Sequence, residues 1–168
     1  LTPTTVSIIS PHPFTRRRRT ITTICYRDGV LAADTLIAYN TYTNGHRDKI
    51  AECGNYLVAL AGAVCYRRIL EKWVKDGCHS DEVPADLLNN TSEFSALLVD
   101  RVSGRAYEFD DGHLVPIYAD YTAIGSGTML ALGALAAGAT AEEAVEAASL
   151  HDKNTGGPVT TYDLNLTK

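Results

Sequence analysis

Apolar residues in this chain fall in short blocks bounded by turn formers rather than in long helical stretches. From Thr22 onward the pattern is strand-like. Thr23 to Tyr26 and Val30 to Asp34 flank Arg27-Asp28-Gly29, which predicts a β-hairpin. Two turns compete. A two-residue Asp28-Gly29 turn pairs Arg27 with Val30 and so Thr23 with Asp34. A three-residue loop with Gly29 left-handed pairs Tyr26 with Val30 and so Thr22 with Asp34. Either register brings a threonine to a carboxylate. Asn40 to Arg47 is polar and turn-rich. Lys49-Ile50 leads to a Gly54-Asn55 turn and a buried strand, Tyr56 to Ala61, that ends at Gly62.

Val64, Ile69, Leu70, Trp73 and Val74 cluster on one side of a helix expected over Ala63 to Lys75, with Gly77 as its stop. Residues 81–90 read as irregular with one helical turn. Phe94 to Val99, Arg105 to Phe109 and His113 to Pro116 read as short strands joined at Ser103-Gly104 and Asp110-Asp111-Gly112. Tyr121 to Ile124 is a further strand, closed by Gly125-Ser126-Gly127. An Ala/Gly/Leu helix is expected over Thr128 to Ala137. A capping box, Thr140 to Glu143, opens a second helix that runs to about His151. Asn154 to Pro158 is a loop and Val159 to Leu166 a last strand. The order lacks parallel βαβ alternation. It predicts an α+β layered sandwich: two antiparallel sheets covered by helices.

Residues 1–21 differ from the rest. They hold three prolines, no acidic residue and the run Arg16 to Arg19. The basic residues follow the apolar stretch, the reverse of a secretory signal. The segment is expected to be a disordered extension, as a propeptide or as translated upstream sequence outside the working protein.

Composition narrows the function. With 168 residues, 45% apolar and 21% charged, the remainder is one soluble globular domain. A net charge of −5 argues against general nucleic-acid affinity, and no apolar run is long enough to span a membrane. Cys25, Cys53, Cys65 and Cys78 lack metal-type pairing and read as reduced thiols; the five histidines lack ligand spacing. Gly125-Ser126-Gly127 fails as a dinucleotide fingerprint, because Leu130 stands where the third glycine belongs. No metal and no cofactor is therefore expected, and the absence of targeting signals points to the cytoplasm.

The chemistry on offer is nucleophilic. A hydroxyl needs a base, and a chain beginning at Thr22 would carry its own in the α-amine. For Lys49 to serve instead near pH 7.5, its ammonium would have to be destabilised by about 4 kcal/mol, whereas the amine needs almost nothing. The base role goes to the amine. Lys49 then acts as a positive charge, with Asp34 as its partner. The bland alternative is that Thr22 and Thr23 are β-branched strand residues beside a surface ion pair. Gly62, at a strand end before a helix, could offer its N–H to an oxyanion, or merely make a turn. Ser126 fits a hydrogen-bonding role at a strand end. Asp152 and Thr155 flank a helix end and read equally well as cap residues.

Taken in order, Thr22-Thr23-Ile24, Gly29 to Asp34, Lys49, Leu60-Ala61-Gly62, Gly125-Ser126-Gly127 and Asp152 to Gly157 resemble the motifs of proteasome β-type subunits and of the HslV peptidase. The likeness covers residues 22 to about 164. It implies the N-terminal-nucleophile hydrolase fold, a four-layer αββα sandwich, and a threonine-type endopeptidase that assembles with itself into a ring and hydrolyses peptides or unfolded protein. An ATPase unfoldase ring is then a candidate partner. By the same resemblance Thr22 is the nucleophile, Asp34 and Lys49 its charged partners, and Ser126, Asp152 and Thr155 the residues that orient the amine. Gly62 is the oxyanion-hole glycine, and Ala59 or Leu60 floors the substrate pocket.

Three departures stand out. The span from Thr22 to Asp34 is shorter than is usual in the family; shortening both hairpin arms by an even number keeps the strand phase. The stretch between Gly77 and Phe94 is short, so a family helix is reduced or missing there. Ile21 stands where self-cleaving precursors usually carry glycine. If residues before Thr22 are retained, a catalytically silent ring former is the alternative. A second alternative is a non-proteasomal amidohydrolase built on the same residues.

Overall fold

A computed structural model describes residues 22–39 and 42–165. The expectations for residues 1–21, and the end of the last strand at Leu166, lie outside the described residues. Strands β1 (Thr23–Arg27) and β2 (Val30–Asp34) form the predicted hairpin, with Ile24 opposite Ala33 and Arg27 opposite Val30. Asp28 and Gly29 both take positive φ, 51° and 81°. That is the two-residue type I′ turn, whose twist matches the strands; it places Thr23, not Thr22, level with Asp34.

Strands β3 (Leu36–Tyr39) and β4 (Tyr42–His46) pair in a separate two-stranded ribbon. This corrects the polar, turn-rich reading of Asn40 to Arg47. Pairing with β3 satisfies the backbone of β4 whatever its side chains, and a bulge between Ile37 and Ala38 breaks the alternation that sequence patterns rely on. Strands β5 (Ile50–Cys53), β6 (Tyr56–Gly62), β7 (Phe94–Asp100), β8 (Ala106–Asp110) and β9 (His113–Pro116) make a five-stranded antiparallel sheet in chain order. Strands β10 (Tyr121–Gly125) and β11 (Val159–Asp163) complete the other sheet in the order β10-β1-β2-β11, also antiparallel.

Helices α1 (Cys65–Lys75) and α2 (Ala85–Leu88) cover the five-stranded sheet; α3 (Thr128–Ala136) and α4 (Ala141–Ser149) cover the four-stranded one. The predicted capping box at Thr140 is formed, with Glu143 N–H donating to the Thr140 hydroxyl and the Glu143 carboxylate accepting from Thr140 N–H. Between Gly77 and Phe94 the chain forms only a 3-10 turn at Ser80–Glu82 and the single turn of α2.

The continuous apolar runs now have a cause: both sheets are buried on both faces. Ile24, Leu31, Ala59, Ala61, Leu97 and Val99 meet between the sheets. Their alternating neighbours face outward to helices: Cys25 and Ala32 toward α3 and α4, Val58, Leu60 and Leu98 toward α1 and α2. The result is the four-layer αββα sandwich. Alanines at 131, 141, 144 and 148 let α3 and α4 lie close to the sheet. All three cores are built from residues 24–164. Among the described residues no helix is long and apolar enough to cross a membrane.

Candidate active site

The end of β2 delivers Asp34 into the protein interior, where it is 1% exposed. Its Oδ1 accepts from Lys49 Nζ at 2.8 Å and from the Thr23 N–H at 2.9 Å. Its Oδ2 accepts from the Gly156 N–H at 3.1 Å and the Leu36 N–H at 3.3 Å. Four donors, one of them cationic, are what a buried carboxylate requires. Lys49 reaches in from just before β5. Burial pulls its ammonium below the ordinary lysine value, and the adjacent Asp34 opposes that pull.

A second arm comes from the loops after β10 and α4. The Ser126 N–H donates to Thr22 O at 2.8 Å, and Ser126 Oγ accepts from Thr22 N at 3.4 Å. The Ser126 hydroxyl donates to Asp152 Oδ2 at 2.5 Å, far closer than its 3.3 Å approach to Thr22 O. Thr155 Oγ1 donates to the same oxygen at 2.7 Å, and Asn154 donates to Oδ1 from its backbone and its side chain. Partial burial of Asp152 raises its pKa, but the donors from Ser126, Thr155 and Asn154 outweigh it and hold the carboxyl below its usual range.

The two arms meet on the Thr22-Thr23 dipeptide. Thr23 gives its N–H to Asp34, and its Oγ1 lies 2.6 Å from Thr155 Oγ1. Thr22, next along the chain and 2% exposed, is held by Ser126 at both its N and its O. Six of the candidate residues, Thr22, Asp34, Lys49, Ser126, Asp152 and Thr155, are thus drawn from five chain segments into one contiguous network.

Gly62 closes β6 nearby. Cys53 and Tyr56 flank a two-residue turn, so even-numbered residues of β6 aim their N–H toward β5. Pairing with β5 stops at Ile50–Ala59, which leaves the Gly62 N–H beyond the strand's end on the Lys49 side. The structure does not bring Ala59 or Leu60 to the site. Ala59 is buried between the sheets and Leu60 under α1 and α2, because strand alternation sends them to opposite faces of the sheet. Ala61 comes nearer: a methyl placed on Gly125 would lie 3.5 Å from Ala61 Cβ.

Three residues named in the sequence reading were given no role in the site: Thr23, Gly125 and Gly127. Gly125 sits at φ +104°, and a methyl there would overlap the Thr22 carbonyl oxygen. A methyl on Gly127 would overlap Thr23 Oγ1. The Gly-Ser-Gly signal was visible, but a reason for two glycines needs the third dimension. Gly125→Ala is expected to lower stability by about 2–5 kcal/mol, from torsional strain plus overlap with backbone. Gly133→Ala in α3, where nothing lies within 4 Å of the new methyl, is expected to raise it by about 1 kcal/mol. Urea midpoints of the two variants check the contrast.

No protein-family model matches the chain, and no curated protein matches it. Solved structures do. Thiobacillus denitrificans BPH in complex with Epoxomicin superposes with a TM-score of 0.64 at 21% identity, over 84% of this chain and 96% of that one. A second structure of Thiobacillus denitrificans BPH gives 0.64 at 20%, over 84% and 95%. Eukaryotic HslV from Trypanosoma brucei gives 0.64 at 17%, over 84% and 98%. The chain shares the four-layer αββα sandwich fold of these structures.

Proposed function

We propose that the chain is a proteasome β-type, HslV-like peptidase subunit in which Thr22 is the amino-terminal nucleophile. The observation that carries this is the convergence of the Lys49–Asp34 pair and the Ser126–Asp152–Thr155 arm on Thr22-Thr23. A second feature agrees with it. Thr22 has φ +147°, a torsion that strains a β-branched residue. That torsion exists only while an acyl group is attached to the Thr22 nitrogen. A chain that begins at Thr22 has no such strain.

In the proposed reaction the Thr22 hydroxyl passes its proton to the α-amine, directly or through water, and Oγ1 bonds to the scissile carbonyl carbon. The Gly62 N–H stabilises the resulting oxyanion. The C–N bond breaks as the ammonium returns the proton to the leaving amine. Water, deprotonated by the same amine, then hydrolyses the Thr22 ester. The Lys49 ammonium keeps the amine deprotonated and polarises the hydroxyl, with Asp34 holding it in place. Ser126, Asp152 and Thr155 orient the amine. No metal or cofactor enters.

The proposal extends to self-assembly and to a cytoplasmic setting. Helix α3 is apolar on its outer side as well as its inner one: Met129 is 81% exposed, and Leu150, just past α4, is 76% exposed. A surface of this kind fits self-association. Cys25, Cys53, Cys65 and Cys78 are all free thiols, as a reducing compartment would leave them. Burial pushes the Cys25 thiol up to about 12, which makes it inert.

The test compares the full chain with one released to begin at Thr22. The released chain is expected to cleave a fluorogenic peptide, to be inhibited by Epoxomicin, and to run as a ring in native mass spectrometry. A released chain that folds and assembles but leaves the peptide intact would sink the proposal. A retained leader in protein from its own host, read by intact mass, would instead favour a silent ring former.

A further inference from the structure

We propose that Thr23 is the positioning residue that locks the two arms of the site together and sets the basicity of the Thr22 amine. This rests on the proposed role of that amine, and Thr23 goes beyond the residues named for it so far.

Proton accounting carries the inference. Each hydroxyl has one proton. The Thr155 hydroxyl spends its own on Asp152 Oδ2 at 2.7 Å, so the 2.6 Å contact between Thr23 and Thr155 is Thr23 donating. The Ser126 hydroxyl likewise donates to Asp152 Oδ2 and turns a lone pair toward Thr22 N. Asp152 Oδ2 is therefore the acceptor for both hydroxyls, and Thr23 is the donor that saturates Thr155 from behind. At the same time the Thr23 N–H is fixed on Asp34 Oδ1, beside Lys49 Nζ. One residue thus ties the Asp34–Lys49 arm to the Asp152–Ser126 arm, a single peptide unit from Thr22.

A plain strand residue explains this position less well. Thr23 has no exposed surface, and valine would fill the same volume with better strand preference and no hydroxyl to satisfy. Gly127 makes room for the oxygen, since any larger residue there would overlap Thr23 Oγ1. The same bonds exclude the Thr23 hydroxyl as the nucleophile: its proton is committed to Thr155 and the residue has no exposed surface.

The consequence has a sign. Without the Thr23 donor, Thr155 becomes a weaker and less directed donor to Asp152. The carboxylate then keeps more of its negative charge for the neighbouring ammonium, and the amine titrates at higher pH.

The experiment uses the chain beginning at Thr22, which contains all three cores, as parent, Thr23→Val and Thr23→Ser. Acetylation of the Thr22 amine by acetic anhydride is followed against pH by peptide mass, and peptide hydrolysis is measured alongside. In Thr23→Val the half-point of acetylation is expected to rise by about half a pH unit, and in Thr23→Ser to return to the parental value. The kcat at pH 7 is expected to fall by about twofold to threefold with KM little changed, and to recover as pH is raised. Thr23→Ala, which removes the donor without a methyl in its place, carries the same expectation should the valine variant fail to fold. An unmoved half-point in the donor-less variants, or an equal displacement in Thr23→Ser, overturns the proposal. A parent without peptidase activity removes the proposed function, while the acetylation profile still decides the role of Thr23.

Discussion

Thr22→Ala, in a chain that begins at that position, is expected to lower peptide hydrolysis by about a thousandfold or more while leaving the fold intact. A thousandfold corresponds to about 4 kcal/mol of lost transition-state stabilisation, the scale expected when a covalent route is removed rather than weakened. No neighbouring hydroxyl can substitute. Thr23 Oγ1 is committed to Thr155, and the Ser126 and Thr155 hydroxyls are committed to Asp152. The fold should survive because the bonds that seat residue 22 are backbone bonds, above all Ser126 N–H to Thr22 O at 2.8 Å. Thr22→Ser keeps the oxygen and should retain measurable turnover. Initial rates on a fluorogenic peptide, with circular dichroism as the control for folding, check both variants. Parental rates in Thr22→Ala would show that the hydroxyl is not the nucleophile.

Lys49→Met is expected to cost about 3–5 kcal/mol of stability as well as activity, because it strands the Asp34 carboxylate in the interior without its cation. For a chain of this size that is a fall in Tm of about 10 °C or more. Adding Asp34→Asn should return part of the stability and none of the activity. The recovery is only partial because three backbone N–H groups also depend on the Asp34 oxygens. The pair has a pH signature too. Burial holds the Lys49 pKa below the ordinary lysine value, so the unfolded chain binds the extra proton in the window just beneath that value. Raising pH through this window therefore removes the active ammonium without costing stability through Lys49. Activity should fall on the alkaline side before the protein unfolds, which parallel rate and melting profiles would reveal. Loss of both at the same pH would contradict the assignment.

Much of the architecture was legible in the chain. The β1–β2 hairpin, though not which of its two turns, the Thr140 capping box and the apolar runs at Tyr56 and Phe94 each rest on local chemistry, so short-range reasoning reaches them. The ribbon of β3 and β4 was not legible, because β4 is polar, the pairing is bulged and the two strands owe their form to each other. Within the site, the candidate residues were identified from their order and their resemblance to a family rather than from any local pattern. Asp152 and Thr155 read equally well as helix-end caps until Ser126 was seen to join them from 26 residues away.

What the sequence determined by itself is the set of elements and the chemistry available to them: turns, caps and strand alternation are encoded within a few residues of each other. Only the tertiary structure decided which threonine faces which carboxylate. The Asp28-Gly29 turn put Thr23 level with Asp34, β10 brought Ser126 onto Thr22, and Ala59 and Leu60 were carried away into separate cores. Those outcomes depend on register and on contacts between segments more than a hundred residues apart, and a hydrogen bond of that range leaves no trace in local sequence.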